Sequence, residues 1–346
     1  MKPVLLITMG DPAGIGPEVV VKALSHPETR EGCLPVVVGD AAPIKDAISF
    51  TGSRLRLKTV SAPEEAKGGR DTIELIDLNM LGGKPYAPGK VSALCGEAAF
   101  TYVTRAIEMC MQGRAVGVAT APLNKEAMHL AGHMYSGHTE IFADYTHTKD
   151  YAMLLMSGAL RVIHVTTHVS MREACDLIKT ERVLKTIRLA HEALTMLGMP
   201  KGKIGVAGLN AHASENGLFG HEEAEEIIPA INQARLEGID ADGPVPPDTV
   251  FVKAAGGVYD IVVAMYHDQG HIPLKLFGFR MDPKTGLFAS MSGINTTIGL
   301  PIIRTSVDHG TAFDRAGRNT SNEMSMVEAI TTAVQMILYY EAKRHA

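Results

Sequence analysis

Apolar runs of strand length recur along the chain and alternate with stretches of helical spacing. Residues 4–8, 35–40, 115–122, 152–155, 161–166, 203–208 and 261–265 are dominated by Val, Ile, Leu, Met or Ala, with little polar alternation. That pattern predicts strands buried on both faces, as in a mostly parallel sheet. Residues 96–112 carry Ala98, Tyr102, Ala106 and Met109 at helical spacing. Residues 173–197 read as one or two helices and 322–340 as a closing amphipathic helix. A helix rich in Val and Ala follows the loop at 10–18, with Pro17 suited to its first turn, and a short helix follows Asn124 and Lys125. Strands and helices alternate, so the expected class is α/β. Residues 51–90, mixed and rich in Gly and Pro, predict short strands or an excursion loop. Residues 243–248 read as a turn, 280–293 as a loop, and 295–304 as a segment with a Gly-Leu-Pro turn.

In open α/β sheets ligands bind beyond the C-terminal ends of the strands, so the residues placed there are the candidate chemistry. The run 162–165 leads to His168, 204–206 to His212, and 261–265 to His267. A lone histidine past a strand is more often a hydrogen-bonded structural residue than a ligand. Three with the same placement, on strands that could be neighbours, point instead to a divalent metal with open positions for substrate. The same stretch adds Asp268 and, after Pro273, the cation Lys275; its bland reading is a polar turn. Asp248 follows another strand-like piece and is a candidate for the mouth of the site. The segment 135–140 reads as a compact polar loop, or as a helix cap with Ser136 or Thr139 ahead of Ile141.

Two familiar loops are excluded. Gly10, Gly14 and Gly16 lack the Gly-Lys-Ser/Thr ending of a phosphate loop and the spacing of a dinucleotide fingerprint; a tight turn that permits close packing is one reading of them and a part in the site the other. No G-x-S-x-G elbow for a serine hydrolase is present.

A chain of 346 residues suggests two domains or one large α/β unit. Its 46% hydrophobic and 21% charged content can fill a full core. A net charge of −5 gives no electrostatic reason to expect a nucleic-acid partner. The four cysteines form no CxxC pair, which fits reduced thiols and a cytoplasmic location. Asp11 interrupts the first apolar run far short of a membrane segment, so no membrane partner is expected.

Seven motifs in order make the chain recognisable: GDPAGIGPE at 10–18, SGHTE at 136–140, HVTTH at 164–168, AGLNAHASENGLFG at 207–220, GPVPPDT at 243–249, YHDQG at 266–270 and GLPIIRTSVDHGTAFDRAG at 299–317. Nearly end to end, the chain resembles the 4-hydroxythreonine-4-phosphate dehydrogenase family, including its paralogues acting on D-threonate or D-erythronate 4-phosphate. A broader resemblance is to the metal-dependent β-decarboxylating dehydrogenases of the isocitrate and isopropylmalate type, with their similar glycine opening and late His-Gly loop.

The resemblance implies two α/β/α subdomains with the active site in the cleft between them and at a homodimer interface. Residues 1–125 plus 282–346 would form the first, on the cofactor side, and 126–281 the second, with the metal ligands and the dimer contacts. It implies His168, His212 and His267 as ligands of a divalent metal (Zn, Mg, Co or Mn), His267 coming from the partner subunit. His138, Thr139, Lys275, Asn295 and Arg304 would bind substrate; Asn295, Asp308, His309 and Gly310 would face NAD or NADP. Lys275, Asp268 and Asp248 are the acid–base candidates. The expected reaction is NAD- and metal-dependent oxidative decarboxylation of a 4-phosphorylated 3-hydroxy acid. TAPLNKE at 120–126 and HDQGHIPLK at 267–275 favour the D-threonate or D-erythronate 4-phosphate branch over 4-hydroxythreonine-4-phosphate dehydrogenase proper, in pyridoxal phosphate biosynthesis. A metal-dependent hydrolase or aldolase without nicotinamide, and a silent binding protein, are the readings from other classes.

Overall fold

A computed structural model of the chain describes residues 2–281, 283 and 288–344. The chain divides into two compact units, Met1–Lys149 with Leu300–Ala346, and Asp150–Gly299. The first unit contains strands β1 (Val4–Thr8), β2 (Leu34–Gly39), β3 (Arg56–Val60), β4 (Thr72–Asp77) and β5 (Gly117–Thr120). The second contains β6 (Ala152–Ser157), β7 (Leu160–His164), β8 (Ile204–Ala207), β9 (Ala241–Val245), β10 (Ile261–Ala264), β11 (Phe279–Met281), β12 (Phe288–Met291) and β13 (Ile294–Ile298). The chain then returns to the first unit as β14 (Ile303–Val307). Helices α1 (Gly16–Ala23), α2 (Ala41–Thr51), α3 (Ala93–Met111), α4 (Lys125–Leu130) and α5 (His138–Tyr145) belong to the first unit. Helices α6 (Met171–Leu177), α7 (Thr180–Met196), α8 (Ile228–Leu236), α9 (Pro247–Ala255) and α10 (His267–Gly278) belong to the second, and α11 (Met324–Arg344) closes the first.

In the first unit the strand order is β3-β4-β2-β1-β5-β14, all parallel. Leu5, Leu6, Ile7, Val36, Val37 and Val38 have no exposed surface, because α3 packs on β1, β2 and β5 while α11 packs on β5 and β14. Fully apolar central strands require cover on both faces. The edge strand β3 is instead largely exposed and carries Arg56 and Lys58. Charged side chains on an edge discourage pairing with another chain, and they erase the apolar signature by which β3 would have been recognised within 51–90.

In the second unit the order is β13-β6-β7-β10-β8-β9. β6 is antiparallel to both neighbours, whereas β7, β10, β8 and β9 run parallel. One core collects Met153, Leu155, Val162, Val250, Phe251, Tyr259, Val262 and Leu274. Helix α7 packs on β7, β8 and β10; α9 and α10 also pack on β7 and β10.

Several expected boundaries move. Residues 126–149 belong to the first unit, since α3 packs on α4 and α5, and 294–298 to the second, since β13 is hydrogen-bonded to β6. Residues 267–271, whose bland reading was a polar turn, are the start of α10, which continues through Pro273 at the expense of the Gln269 carbonyl's helical bond. Residues 243–245 end strand β9, with a cis Gly243–Pro244 bond, and α9 begins at Pro247. The compact loop at 135–140 gives way to α5 at His138, and its cap position is Gly137, not Ser136 or Thr139. The expected loop at 280–293 includes strands β11 and β12, while 282 and 284–287 lie outside the described residues. Helix α3 starts at Ala93, earlier than its periodicity suggested, because the Ser92 hydroxyl caps the Cys95 N–H.

The glycine loop after β1 is a packing turn. Gly10 has φ 73°, and a side chain there would overlap the Pro122 carbonyl. Asp11 is wholly buried; its Oδ1 accepts from Ala13 N at 2.8 Å and its Oδ2 has no partner. Burial pushes this carboxyl up to about 6, against the lowering effect of the Ala13 N–H. The folded chain therefore keeps this proton to higher pH than the unfolded chain, and stability is lost as pH rises from about 4 to 6. Asp11→Asn removes the charge and keeps the acceptor. Urea unfolding should show the variant more stable at pH 7, on the order of 1–3 kcal/mol, with the gain gone near pH 4.

Candidate active site

The three strands that precede the candidate metal ligands are adjacent and parallel in the order β7-β10-β8. The register pairs Ala264 with His164 and Val263 with Val206, so the three C-terminal ends lie side by side. Beyond them the pairing continues for one step, with Val165 N donating to Ala264 O and Thr166 N to Met265 O. Thr167 and His168 then leave β7, and His267 opens α10. Buried Gln269 ties the edges together: Met265 N donates to its Oε1 (2.6 Å) and its Nε2 donates to Gly208 O (2.8 Å).

His168 and His267 approach to 5.8 Å between ring centroids. His267 Nδ1–H donates to Asp268 Oδ1 (2.6 Å), leaving Nε2 as the lone-pair donor. Behind His267 lie His271, stacked at 3.5 Å, and His164, 4.8 Å from His271. Burial is the main cause that pushes His164 down to about 3 and His271 to about 4, so both are neutral near pH 7. A cavity of about 490 Å³ opens here, lined by Thr167, His168, Glu173, Tyr266, His267 and Asp268 among others.

His212 arrives by a different device. Residues His212, Ala213, Ser214, Glu215 and Asn216 all have φ between 47° and 67°, a left-handed run with no glycine. Each such residue costs about 1–2 kcal/mol, so the surroundings must hold it. The buried Glu223 carboxylate accepts from Leu209 N (2.8 Å), Asn210 N (2.7 Å) and Asn210 Nδ2 (2.9 Å), pinning the entry to the turn. The His212 ring lies 6.1 Å from that of Phe219. Among the described residues, no three His, Cys, Asp or Glu side chains close round one point. The imidazole donors suit a borderline divalent cation, and on His267 the Asp268 carboxylate leaves Nε2 for it.

Lys275 lies two turns beyond His267 on α10, exposed, with Nζ 5.4 Å from the Phe279 ring centroid. Asp248 is exposed in the first turn of α9, and half-buried Asn295 sits on β13 opposite Leu155.

The first unit carries His138, Thr139 and Arg304. Arg304, the second residue of β14, is 2% exposed, and its guanidinium lies 5.7 Å from the Phe142 ring centroid. Desolvation pulls it down to about 9, opposed by Glu140, so it stays a cation in a dry place. His138 opens α5. Burial first, then Arg304 and Lys125, push its imidazole well below the usual range. It is a neutral hydrogen-bonding group, and its Nε2 is buried without a partner. Asp308, His309 and Gly310 follow β14; His309 Nδ1–H donates to Gly310 O (3.0 Å), and its Nε2 is also buried without a partner. Gln269, Glu223, Lys125, His164 and His271 are neighbours of these sites that sequence reasoning missed. His164, Gln269, His271 and Lys125 stand inside the quoted motifs and Glu223 just beyond one, but nothing in the residue types marked their roles.

A comparison with known families matches residues 31–333 to the pyridoxal phosphate biosynthetic protein PdxA model. A protein of Cupriavidus necator named D-threonate 4-phosphate dehydrogenase is 47% identical over 336 residues, covering 96% of this chain and 97% of its own. One of the same name from Salmonella typhimurium is 48% identical over 332 residues, covering 95% and 98%. The solved 4-hydroxythreonine-4-phosphate dehydrogenase of Klebsiella pneumoniae superposes with a TM-score of 0.84 at 44% identity, covering 97% of this chain and 98% of that one. The motifs, the fold and the matched length agree, and the chain belongs to the PdxA family of pyridoxal phosphate biosynthetic proteins.

Proposed function

We propose that this chain, a dehydrogenase by family, oxidises the C3 hydroxyl of a 4-phosphorylated hydroxy acid using NAD or NADP and a divalent metal, with loss of carbon dioxide. D-Threonate or D-erythronate 4-phosphate is the favoured substrate. The observation that carries the reading is the side-by-side ending of β7, β10 and β8, each followed by a histidine. The names of two curated relatives at 47% and 48% identity support the substrate. The name of the Klebsiella pneumoniae structure keeps 4-phosphohydroxy-L-threonine, and pyridoxal phosphate biosynthesis, as the second reading.

Bound at His168, His212 and His267, the cation would acidify the C3 hydroxyl and stabilise the enolate charge left by decarboxylation, while a nicotinamide near Asn295, Asp308, His309 and Gly310 would accept the C3 hydride. Arg304 supplies a planar, desolvated cation suited to a phosphate, and neutral His138 and Thr139 supply directional bonds to it. Asp268 is engaged with His267, which leaves Lys275 as the better candidate to move the hydroxyl proton, with Asp248 exposed and less constrained. A homodimer is part of the reading. Ile272, Leu276 and Phe277 are 65%, 81% and 47% exposed on the helix that carries His267 and Lys275, an apolar face suited to a second copy. Among the described residues no helix is long and apolar enough to cross a membrane.

Reduced-nicotinamide absorbance tests the reaction. Turnover with D-threonate 4-phosphate should vanish with chelator and return with added metal; turnover that survives chelation, or its absence with every phospho-acid, would overturn the reading. A C2 hydroxyl and a C2 ammonium present different bonds to a buried site. Discrimination between D-threonate 4-phosphate and 4-phosphohydroxy-L-threonine should therefore reach about 10²-fold or more in kcat/KM. Preference for the amine would select the biosynthetic branch.

If Arg304 binds phosphate by a two-point contact, Arg304→Lys should lower kcat/KM about 10–100-fold for the phosphorylated substrate and little for its dephosphorylated analogue. An equal loss for both would assign Arg304 another part.

The shared-site expectation is tested by mixing. His168→Ala and His267→Ala should each be inactive, yet their heterodimer contains one site with both defects and one with none. The doubly tagged, doubly purified heterodimer should recover about half of wild-type activity if subunits share sites. An inactive heterodimer would place all three ligands in one chain.

A further inference from the structure

The candidate metal ligand His267 is held from two directions, and only one of them is the carboxylate that commonly orients such a histidine. An imidazole side chain has two torsions to fix. The bond from Nδ1 to Asp268 limits rotation within the ring plane, but Asp268 is 66% exposed and the His267 side chain 36% exposed, so this bond competes with water. The plane itself is set by His271, one turn later on α10. Its ring is stacked on that of His267 with centroids 3.5 Å apart and 13° between planes. His271 is 8% exposed, and its Nδ1 lies 2.9 Å from the His267 carbonyl; a carbonyl only accepts, so that nitrogen carries the proton. Beneath it, His164 is fully buried on β7, 4.8 Å away by centroid, with its own Nδ1 donating to Met153 O (3.2 Å). α10 comes this close because residue 270 is glycine, where a Cβ would overlap His164 Nε2 and press on Val162.

We infer that His271, backed by His164, is a positioning residue that fixes the ring plane of His267 for metal binding. The column runs from the sheet core through His164 and His271 to His267, so the ligand's orientation is referred to β7 and not to the exposed surface. The inference rests on the metal reading above. It goes beyond that reading in assigning the preorganisation to a stacked ring and not to a further ligand or to the carboxylate alone.

Two substitutions separate the stack from the hydrogen bond. His271→Phe keeps an aromatic ring over His267 and loses the bond to its carbonyl; His271→Asn keeps a donor near the Nδ1 position and loses the ring. Cobalt affinity is measured by chelator competition on the full-length apo protein, alongside the visible spectrum of the bound cobalt and the thermal midpoint. His271→Asn should bind cobalt about 10–100-fold more weakly, the usual loss when a partner of a metal ligand is removed. His271→Phe should stay within about threefold of wild type and keep its spectrum. Wild-type affinity in a folded His271→Asn variant would overturn the inference. So would a folded His271→Phe variant as weak as His271→Asn, the result expected of a direct ligand. Wild-type protein that binds no cobalt, or binds it equally well as His267→Ala, would instead remove the metal reading itself.

Discussion

The side-chain amide of Gln269 bridges the place where β10 and β8 stop exchanging backbone bonds, and the arrangement of the second unit's histidines follows from that bridge. It accepts from Met265 N and donates to Gly208 O, both buried. Without it, two backbone groups at the sheet's end would be desolvated and unpaired, each a loss of about 1–3 kcal/mol. Because Gln269 lies in the first turn of α10, the same two bonds fix where that helix starts, and therefore where His267, Asp268 and His271 point. Parallel strands supply aligned ends. The amide turns those ends into a fixed platform.

The two units use opposite electrostatic strategies. In the second, His164 and His271, packed behind His267, are kept neutral by burial. In the first, Arg304 retains its charge inside the protein, where desolvation pulls it down to about 9 but not to neutrality at pH 7. A cation in that position binds an anion more strongly than a surface arginine would, because little water has to be removed from it on binding. His138 is driven neutral partly by that same arginine, so the pair offers one charge and one directional bond instead of two charges.

Backbone strain is concentrated where function is proposed. The left-handed run from His212 to Asn216 contradicts local preference at five successive residues, none of them glycine. The three bonds received by buried Glu223 are what the fold sets against that cost. Natural chains break local rules at sites and compensate nearby, and the entry to this turn has that form.

The sequence by itself determined the α/β class, the buried central strands, the three strand-end histidines and, through seven ordered motifs, the family. These are local signals: apolar runs, helical spacing and short exact strings. It did not reveal the exposed edge strand β3, whose charged side chains carry no apolar pattern, or that 267–271 is helical, since Gly270 and Pro273 read as breakers. Tertiary structure alone decided that β7, β10 and β8 are neighbours, that Gln269 and Glu223 brace the segments leading to His267 and His212, and that His271 and His164 lie behind His267. It also decided that His138 is neutral while Arg304 is charged. Each of these depends on contacts between residues distant in the chain and on how much water those contacts exclude, which no local pattern of residues encodes.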